Sequence, residues 1–301
     1  MKKPMISVIM GVYNGSKHIQ NAIFSILAQS FKDFELIIIN DGSTDDTLSK
    51  ISAISDPRLI VIDQNNQGLT RSLNNALKIA KGDYIARQDA DDISIYNRFE
   101  KQLAAFEEDK ELSLVGSSMF ISNPNGIFNE IFHYPKTDAE CKSALIDYNP
   151  FIHGAIMMKR SELIDEGGYN ENFRYVQDYE LWSRLVPKIK CENLAEPLYA
   201  RLRESDCSES TIDKTEYVNK IQNQLKNHEN IRLQRESFTS KEITTQGIYP
   251  LLSYPHKYTS QLALTFSKMA KIARDNDLQS TVLKRNALFY CPWFGVFKEA
   301  V

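Results

Sequence analysis

The 301-residue chain lacks the features that mark several classes of protein. Its four cysteines, Cys141, Cys191, Cys207 and Cys291, have neither metal-site nor disulfide-scaffold spacing, so we expect reduced thiols in a cytoplasmic protein. No apolar run approaches the ~20 residues of a membrane span, and the opening residues 1–4 lead into a predicted strand, not a signal peptide. The net charge of −3 gives no reason to expect nucleic acid as a partner.

Short apolar runs alternate with helical patterns through the first hundred residues. The runs are residues 5–10, 34–39, 59–62 and 84–86, and the clearest helical patterns are 19–27 and 69–80. This alternation is typical of parallel βαβ units, and continuous apolar strands indicate a sheet that is covered on both faces. The sequence therefore predicts an α/β fold with a Rossmann-like, mostly parallel central sheet flanked by helices.

Three carboxylates follow the fourth predicted strand, in the sequence Arg87-Gln88-Asp89-Ala90-Asp91-Asp92. Crowded carboxylates are costly unless positive charge lies among them. Hard oxygen ligands suit Mg²⁺ or Mn²⁺ held together with a diphosphate. The alternative is that Asp91 and Asp92 cap the following helix, where acidic side chains are favoured. The spacing alone leaves both interpretations open.

Three side chains, Tyr13, Asp41 and Asp89, fall just past predicted strand ends. In a parallel sheet the carboxyl ends of the strands border one ligand crevice, so these residues should share it. Asp41 could accept a hydrogen bond from a base N–H, or it could organise its own Asn40–Gly42 turn. Tyr13 could stack on a flat ring, or it could be an ordinary loop aromatic.

The chain resembles the family 2 glycosyltransferases in a series of motifs that occur in the family's order. They are residues 7–14, 40–47, 66–70, 80–92, 149–154, 168–170 and 177–182. The resemblance covers the first 210 residues, and it implies the A-type glycosyltransferase fold and inversion at the anomeric carbon. It also implies a UDP-sugar donor, Mn²⁺ or Mg²⁺, and a glycan acceptor linked to polyprenyl diphosphate in the assembly of bacterial surface polysaccharide.

The same resemblance assigns roles to residues of the donor site. Asp41 would read the base, Asp89 would approach the ribose, and Asp91 with Asp89 would bind the metal. Neighbouring donor-site positions are Val12, Tyr13, Asn14 and Ala90. Arg71 would hold the diphosphate unless it is a solvated helix residue.

A departure from the family pattern occurs at Arg201-Leu202-Arg203, where relatives often have Arg-x-His. Arg203 can contact phosphates directly but cannot coordinate a cation.

Asp178 would be the catalytic base by the same resemblance, and Glu180 is the rival carboxylate nearby. The alternative is that Asp178 caps the helix it opens. A helix N-terminus and a nearby cation should both lower its pKa, so its basicity must come from burial, against Trp182 or Tyr179.

The chain changes character near residue 205, where a polar, turn-rich stretch is followed by charged helical patterns. We therefore divide it into a nucleotide-sugar-binding catalytic domain, 1–210, and a helical C-terminal region, 211–301. The basic and aromatic stretch Lys284–Phe294 either packs on the catalytic domain or makes peripheral contact with the inner face of the membrane. Acceptor binding and self-association as a homodimer are the other roles expected of this region.

Two rival functions remain open at this point. A sugar nucleotidyltransferase would need a Gly-rich, basic triphosphate loop after the first strand, and residues 11–17 make a poor one. A non-catalytic nucleotide-sugar-binding module would not need the complete set of Asp41, Asp89, Asp91 and Asp178.

Overall fold

A computed structural model describes residues 3–123, 127–202, 214–226, 228, 247–250 and 257–276. The strands are β1 (Ile6–Val12), β2 (Phe34–Asn40), β3 (Leu59–Asp63), β4 (Tyr84–Arg87), β5 (Ile93–Ser94), β6 (Leu112–Ser122), β7 (Phe128–His133), β8 (Met157–Lys159), β9 (Lys190–Arg201) and β10 (Gly247–Pro250). The helices are α1 (Ile19–Leu27), α2 (Thr47–Ser52), α3 (Leu69–Ile79), α4 (Arg98–Glu108), α5 (Asp138–Ala144), α6 (Arg160–Asp165), α7 (Gln177–Leu185), α8 (Thr215–Lys226) and α9 (Lys257–Asp275). A 3₁₀ turn covers His153–Ala155.

The strands form one mixed sheet in the order β10-β7-β6-β8-β4-β1-β2-β3, and β9 pairs with both β6 and β5. The N-terminal half is parallel: β1 lies between β2 and β4, and β3 pairs with β2. Every residue of β1 and β2 is buried, as expected for a sheet covered on both faces. The predicted α/β class is confirmed.

The parallel half places three loops at one edge of the sheet. The loops follow Val12, Asn40 and Arg87, the last residues of β1, β2 and β4. The backbone N–H of Asp41 donates to the carbonyl of Val12 at 2.8 Å, so the first two loops are joined directly. Strand β9 reaches the same edge because β5 pairs with its end, Ile93 opposite Ala200.

The described parts of the C-terminal region pack against the rest of the chain. Strand β10 pairs antiparallel with β7, so it extends the central sheet. On α9 the side chains of Leu262, Phe266 and Met269 are fully buried, and Phe266 stacks on Phe128 with ring centroids 6.1 Å apart. Residues Lys284–Phe294, for which we predict packing or membrane contact, lie outside the described residues. Within the described ranges, no helix combines the length and apolar character needed to cross a membrane.

Residues 88–92, which follow β4 and contain Asp89, Asp91 and Asp92, form a segment that we call the acidic loop. Arg98 begins α4 and is fully buried beneath this loop. Its guanidinium donates to the backbone carbonyls of Arg87 and Ile156, both at 2.9 Å, and to Ser94 Oγ at 2.8 Å. Burial lowers the pKa of Arg98 to about 10, so the side chain stays charged at neutral pH. The Arg98 guanidinium therefore links Arg87, at the end of β4, to Ile156, which precedes β8. This link fixes the base of the acidic loop.

We expect Arg98→Met to lower the free energy of unfolding by at least about 3 kcal/mol, because several buried acceptors lose their donor and each costs about 1–3 kcal/mol. Urea unfolding measures the change. Lys101→Met, on the same helix but with a half-exposed side chain, is the control and should stay within about 0.5 kcal/mol. Equal stability of the two variants would contradict this role for Arg98.

Candidate active site

A cavity of about 510 Å³ opens at the edge where the parallel strands end. It is lined by the β1–α1 loop, the first turn of α3 and the acidic loop. Most of the residues predicted for a donor site line it, namely Val12, Tyr13, Asn14, Asp41, Asp89, Ala90 and Asp91. The structure therefore brings together residues from separate loops, from Val12 after β1 to Asp91 after β4.

The β1–α1 loop is linked to the loop after β2 by Asn14, which has a left-handed backbone (φ 51°). Its Oδ1 accepts from the N–H of Thr44 at 2.8 Å, and its own N–H donates to Ser43 Oγ at 3.0 Å. Asparagine tolerates this conformation better than other non-glycine residues. The neighbouring Tyr13 is 53% exposed, so one aromatic ring lies at the cavity wall with its surface accessible.

Asp41 is buried, and its carboxylate accepts three hydrogen bonds. Oδ1 accepts from Gln64 Nε2 at 2.7 Å and from the N–H of Gln67 at 2.8 Å, and Oδ2 accepts from the N–H of Gly68 at 2.8 Å. Asp41 therefore organises the loop before α3 rather than its own turn. A carboxylate has about four acceptor positions, so one remains for a further donor in the cavity.

Asp89 forms an ion pair with a buried arginine. Arg87 is 1% exposed, and its Nη2 donates to Asp89 Oδ1 at 2.7 Å. Burial opposes ionisation, but the guanidinium of Arg87 lowers the pKa of Asp89 below its ordinary value. Space for this pair depends on Gly154, where a Cβ would lie 2.6 Å from Asp89 Oδ2.

The other two carboxylates of the loop behave differently. Loss of hydration, followed by the charge of Asp89, raises the pKa of Asp91, which lines the cavity. Asp92 is buried, and burial together with Asp91 and Asp89 raises its pKa well above the ordinary value. Arg201, at the end of β9, opposes both shifts with its positive charge. The neighbouring carboxylates therefore disfavour one another's ionisation, most strongly at Asp92.

This arrangement fits a divalent cation held between protein and substrate. Among the described residues, no three His, Cys, Asp or Glu side chains are grouped closely enough to enclose a metal. Mg²⁺ usually takes only one or two carboxylates and completes its shell with substrate phosphates and water. Asp91, beside Asp89, offers that kind of partial oxygen site on the cavity wall, and a cation there would relieve the crowding of the carboxylates.

A second cavity of about 400 Å³ adjoins the first, and Asp89 and Asp91 line both. Its other walls carry Asp178, Asn149 and Tyr134, together with Asp92, Phe151, Ile152, His153 and Arg201. Two ligands can therefore meet at the Asp89–Asp91 boundary, one from each cavity.

Asp178 lies in the first turn of α7 and is half-buried. Its Oδ2 accepts from Asn149 Nδ2 at 2.7 Å. Burial, reinforced by Asp89, raises its pKa above the ordinary value, although the N–H of Tyr179 and the Asn149 amide both act in the opposite direction. The environment thus makes this carboxylate a stronger base than a solvated aspartate.

The remaining predicted positions lie elsewhere. Glu180 is buried outside both cavities, where Arg184 Nε and Nη2 donate to its two carboxylate oxygens at 2.9 and 3.0 Å. Arg71 is exposed on α3, does not line either cavity, and pairs with Glu171 at 3.0 Å. Arg203 lies outside the described residues.

Sequence reasoning assigned no role to several residues that line the cavities. Asn149 and His153 stand within the motif at 149–154, and Arg201 opens the Arg-Leu-Arg segment, so motif membership was the available signal. Burial and Arg87 lower the pKa of His153 to about 3, so its ring is neutral, and it shares a 2.8 Å hydrogen bond with Tyr169 Oη. Lys17 and His18 line the donor-side cavity without any sequence signal.

Comparison with known proteins gives the family. The model of "Glycosyl transferase family 2" matches residues 7–168. The putative glycosyltransferase EpsE of Bacillus subtilis is 37% identical over 212 residues, which cover 67% of this chain and 74% of EpsE. The O-antigen biosynthesis glycosyltransferase WbnJ of Escherichia coli is 34% identical over 200 residues, which cover 64% of this chain and 78% of WbnJ.

Solved structures share the fold. The S. aureus TarS 1–349 complex with UDP-GlcNAc matches with a TM-score of 0.61 at 18% identity, covering 95% of this chain and 88% of that one. The mannosyltransferase PcManGT of Pyrobaculum calidifontis, in complex with GDP-Man and Mn²⁺, matches with a TM-score of 0.52 at 15% identity, covering 97% and 72%. Together with the family match, this likeness identifies the fold as the predicted A-type glycosyltransferase fold, and this chain belongs to glycosyl transferase family 2.

Proposed function

We propose that this glycosyltransferase moves a sugar from a UDP-sugar to a hydroxyl group of a glycan acceptor, with inversion at the anomeric carbon. The observation that carries the proposal is the pair of adjoining cavities that share Asp89 and Asp91. The donor occupies the cavity that contains Tyr13 and Asp41, and the acceptor occupies the cavity that contains Asp178. TarS, which shares the fold, has been solved with UDP-GlcNAc.

The donor-side residues divide the recognition of the nucleotide. The exposed ring of Tyr13 stacks on the base, with Val12 and Asn14 shaping the loop around it. Asp41 accepts the base N–H in its remaining acceptor position, which selects for a base that presents a donor there. Asp89 and the adjacent Ala90 lie against the ribose.

Asp91, together with Asp89, would hold a Mn²⁺ or Mg²⁺ ion beside the diphosphate of the donor. When bound, the cation supplies Lewis-acid stabilisation of the charge that develops on the leaving diphosphate. The partial carboxylate site described above supports this assignment, and the fold relative PcManGT was solved with Mn²⁺.

Asp178 removes the proton from the attacking acceptor hydroxyl. Its raised pKa and its position in the cavity beyond Asp89 and Asp91 support this role. Glu180 is a weaker candidate because Arg184 occupies both of its oxygens. A single base without a covalent nucleophile corresponds to one displacement and hence to inversion.

The biological setting is the assembly of surface polysaccharide on a lipid-linked acceptor at the cytoplasmic side of the membrane. The similarity to WbnJ, named for O-antigen biosynthesis, supports the surface-polysaccharide part of this setting.

Incubation with UDP-sugars, Mn²⁺ and a glycan acceptor should release UDP and give a β-linked product from an α-linked donor. Enzyme-coupled detection measures UDP, and proton NMR of the product measures the anomeric coupling. Release of pyrophosphate from UTP would indicate a nucleotidyltransferase instead. An α-anomeric product would overturn the inverting mechanism.

Asp91→Ala should lower turnover by at least ~100-fold and abolish the Mn²⁺-dependent part of UDP binding, because the diphosphate charge loses its counter-ion. Calorimetry with and without Mn²⁺ measures the binding. Asp165→Ala, an exposed aspartate on α6, is the control and should bind as the wild type does. Unchanged metal-dependent affinity in folded Asp91→Ala would remove Asp91 from the metal site.

Asp178→Asn is nearly isosteric and should lower turnover by ~100-fold or more while leaving UDP affinity unchanged, as expected for loss of a general base. Steady-state kinetics and calorimetry measure the two quantities. Glu180→Gln is the comparison: we expect a lower melting temperature, because a buried ion pair is broken, but near-normal turnover. The reverse pattern would assign the base to Glu180.

A further inference from the structure

Asn149 makes a hydrogen bond whose direction is fixed by the backbone. It lies between α5 and the 3₁₀ turn, on the wall of the acceptor-side cavity. Its Oδ1 accepts from the N–H of Phe151 at 3.1 Å. Because a backbone N–H can only donate, the amide oxygen must face Phe151 and the amide NH₂ must face Asp178. The 2.7 Å contact with Asp178 Oδ2 is therefore a donation to the carboxylate.

This donation acts on both the orientation and the charge of Asp178. A carboxylate in a cavity can rotate about its Cβ–Cγ bond, and a short hydrogen bond to one oxygen limits that rotation. Donation also favours the ionised form, so it opposes the effect of burial on the pKa of Asp178. A base needs both properties, since it must point at the hydroxyl and be unprotonated before the reaction begins.

We propose that Asn149 is a positioning residue for this reaction, which holds the Asp178 carboxylate in the orientation that faces the acceptor. The inference rests on the proposed function, in which Asp178 is the base. Asn149 itself acts through Asp178 and supplies no proton transfer.

The chain contains a matched control for this contact. Asn170 also accepts from a backbone N–H two residues ahead, that of Asn172 at 3.1 Å, and also donates to a carboxylate of α7, Glu180 Oε1 at 3.1 Å. Glu180 is paired with Arg184 and does not line either cavity. The same substitution at Asn149 and Asn170 therefore makes the same chemical change inside and outside the proposed site.

Asn149→Asp keeps the acceptor for Phe151 but replaces the donated N–H by a second carboxylate. Two carboxylates at hydrogen-bond distance share a proton, which raises the pKa of the pair. Asp178 should therefore be unprotonated, and able to act as a base, only at higher pH. We expect kcat at neutral pH to fall ~10-fold or more, with the donor KM changed less than twofold, and the acid limb of the kcat profile to move up by about one pH unit or more. Asn170→Asp should leave kcat and its pH profile near those of the wild type.

Asn149→Ser is the second variant, because its hydroxyl can accept from Phe151 but is too short to reach Asp178. Thermal melting establishes that each variant is folded. In either folded variant, wild-type kcat and an unmoved acid limb would overturn the proposal, provided that Asp178→Asn is inactive. If Asp178→Asn retains turnover, the base assignment fails instead.

A measurement that does not depend on turnover distinguishes failure of the Asn149 contact from failure of the base assignment to Asp178. Carboxyl ¹³C NMR, with the Asp178 signal identified from Asp178→Asn, follows the titration of this residue directly. A higher pKa of Asp178 in Asn149→Asp and Asn149→Ser, but not in Asn170→Asp, supports the contact. An unchanged pKa in both Asn149 variants would overturn it whether or not Asp178 is the base.

Discussion

Two buried arginines beneath the acidic loop make the rest of the site possible. Three carboxylates within four residues repel one another, and the sheet that carries them excludes water on both faces. Arg87 forms an ion pair with Asp89, with Nη2 and Oδ1 2.7 Å apart. Arg98 instead donates hydrogen bonds to two backbone carbonyls and to Ser94 Oγ. The two guanidinium groups thus bring positive charge beneath the loop, and only Arg87 forms an ion pair with one of its carboxylates, Asp89.

The burial of Arg87 leaves some of its hydrogen-bond donors unsatisfied, which lowers the stability of the fold. Nε and Nη1 of Arg87 are buried and have no hydrogen-bond partner among the described residues. A buried unpaired donor costs about 1–3 kcal/mol, which is large against the stability of a domain. Arg87 therefore contributes the counter-charge of Asp89 at a cost to the stability of the fold.

The carboxylates of the site differ in how many of their acceptor positions the protein already uses. Asp41 accepts three hydrogen bonds from the loop before α3, so its position is fixed and one acceptor position remains. Asp89 is paired with Arg87. The pKa of Asp91 is raised even though His18 and Arg201 act to lower it, so a cation bound beside Asp91 would stabilise its ionised form. Carboxylates that look alike in the sequence therefore differ in the hydrogen-bond and ion-pair partners that surround them.

The sequence predicted the parallel half of the sheet and most of the donor-side wall, because both follow from local patterns. Apolar runs indicate strands, and residues after parallel strands meet at one edge, which is how Tyr13, Asp41 and Asp89 were brought together. The role of Arg98 was not predictable in this way, since an arginine at the start of an amphipathic helix usually faces solvent. The ion pair of Arg71 with Glu171 depends on a contact between residues 100 positions apart, which no local pattern encodes.

The environment of Asp178 shows two opposing effects whose balance the sequence could not give. Its place in the first turn of α7 was expected to lower its pKa, and the N–H of Tyr179 does act in that direction. Burial is the larger effect and raises the pKa.

The chain enters α7 through Val176, a β-branched residue with a left-handed backbone (φ 50°), a conformation that costs on the order of 1–3 kcal/mol. Strain at the entry to α7 and burial of the carboxylate thus both oppose stability. In the proposed mechanism, both serve to place a basic carboxylate beside the acceptor.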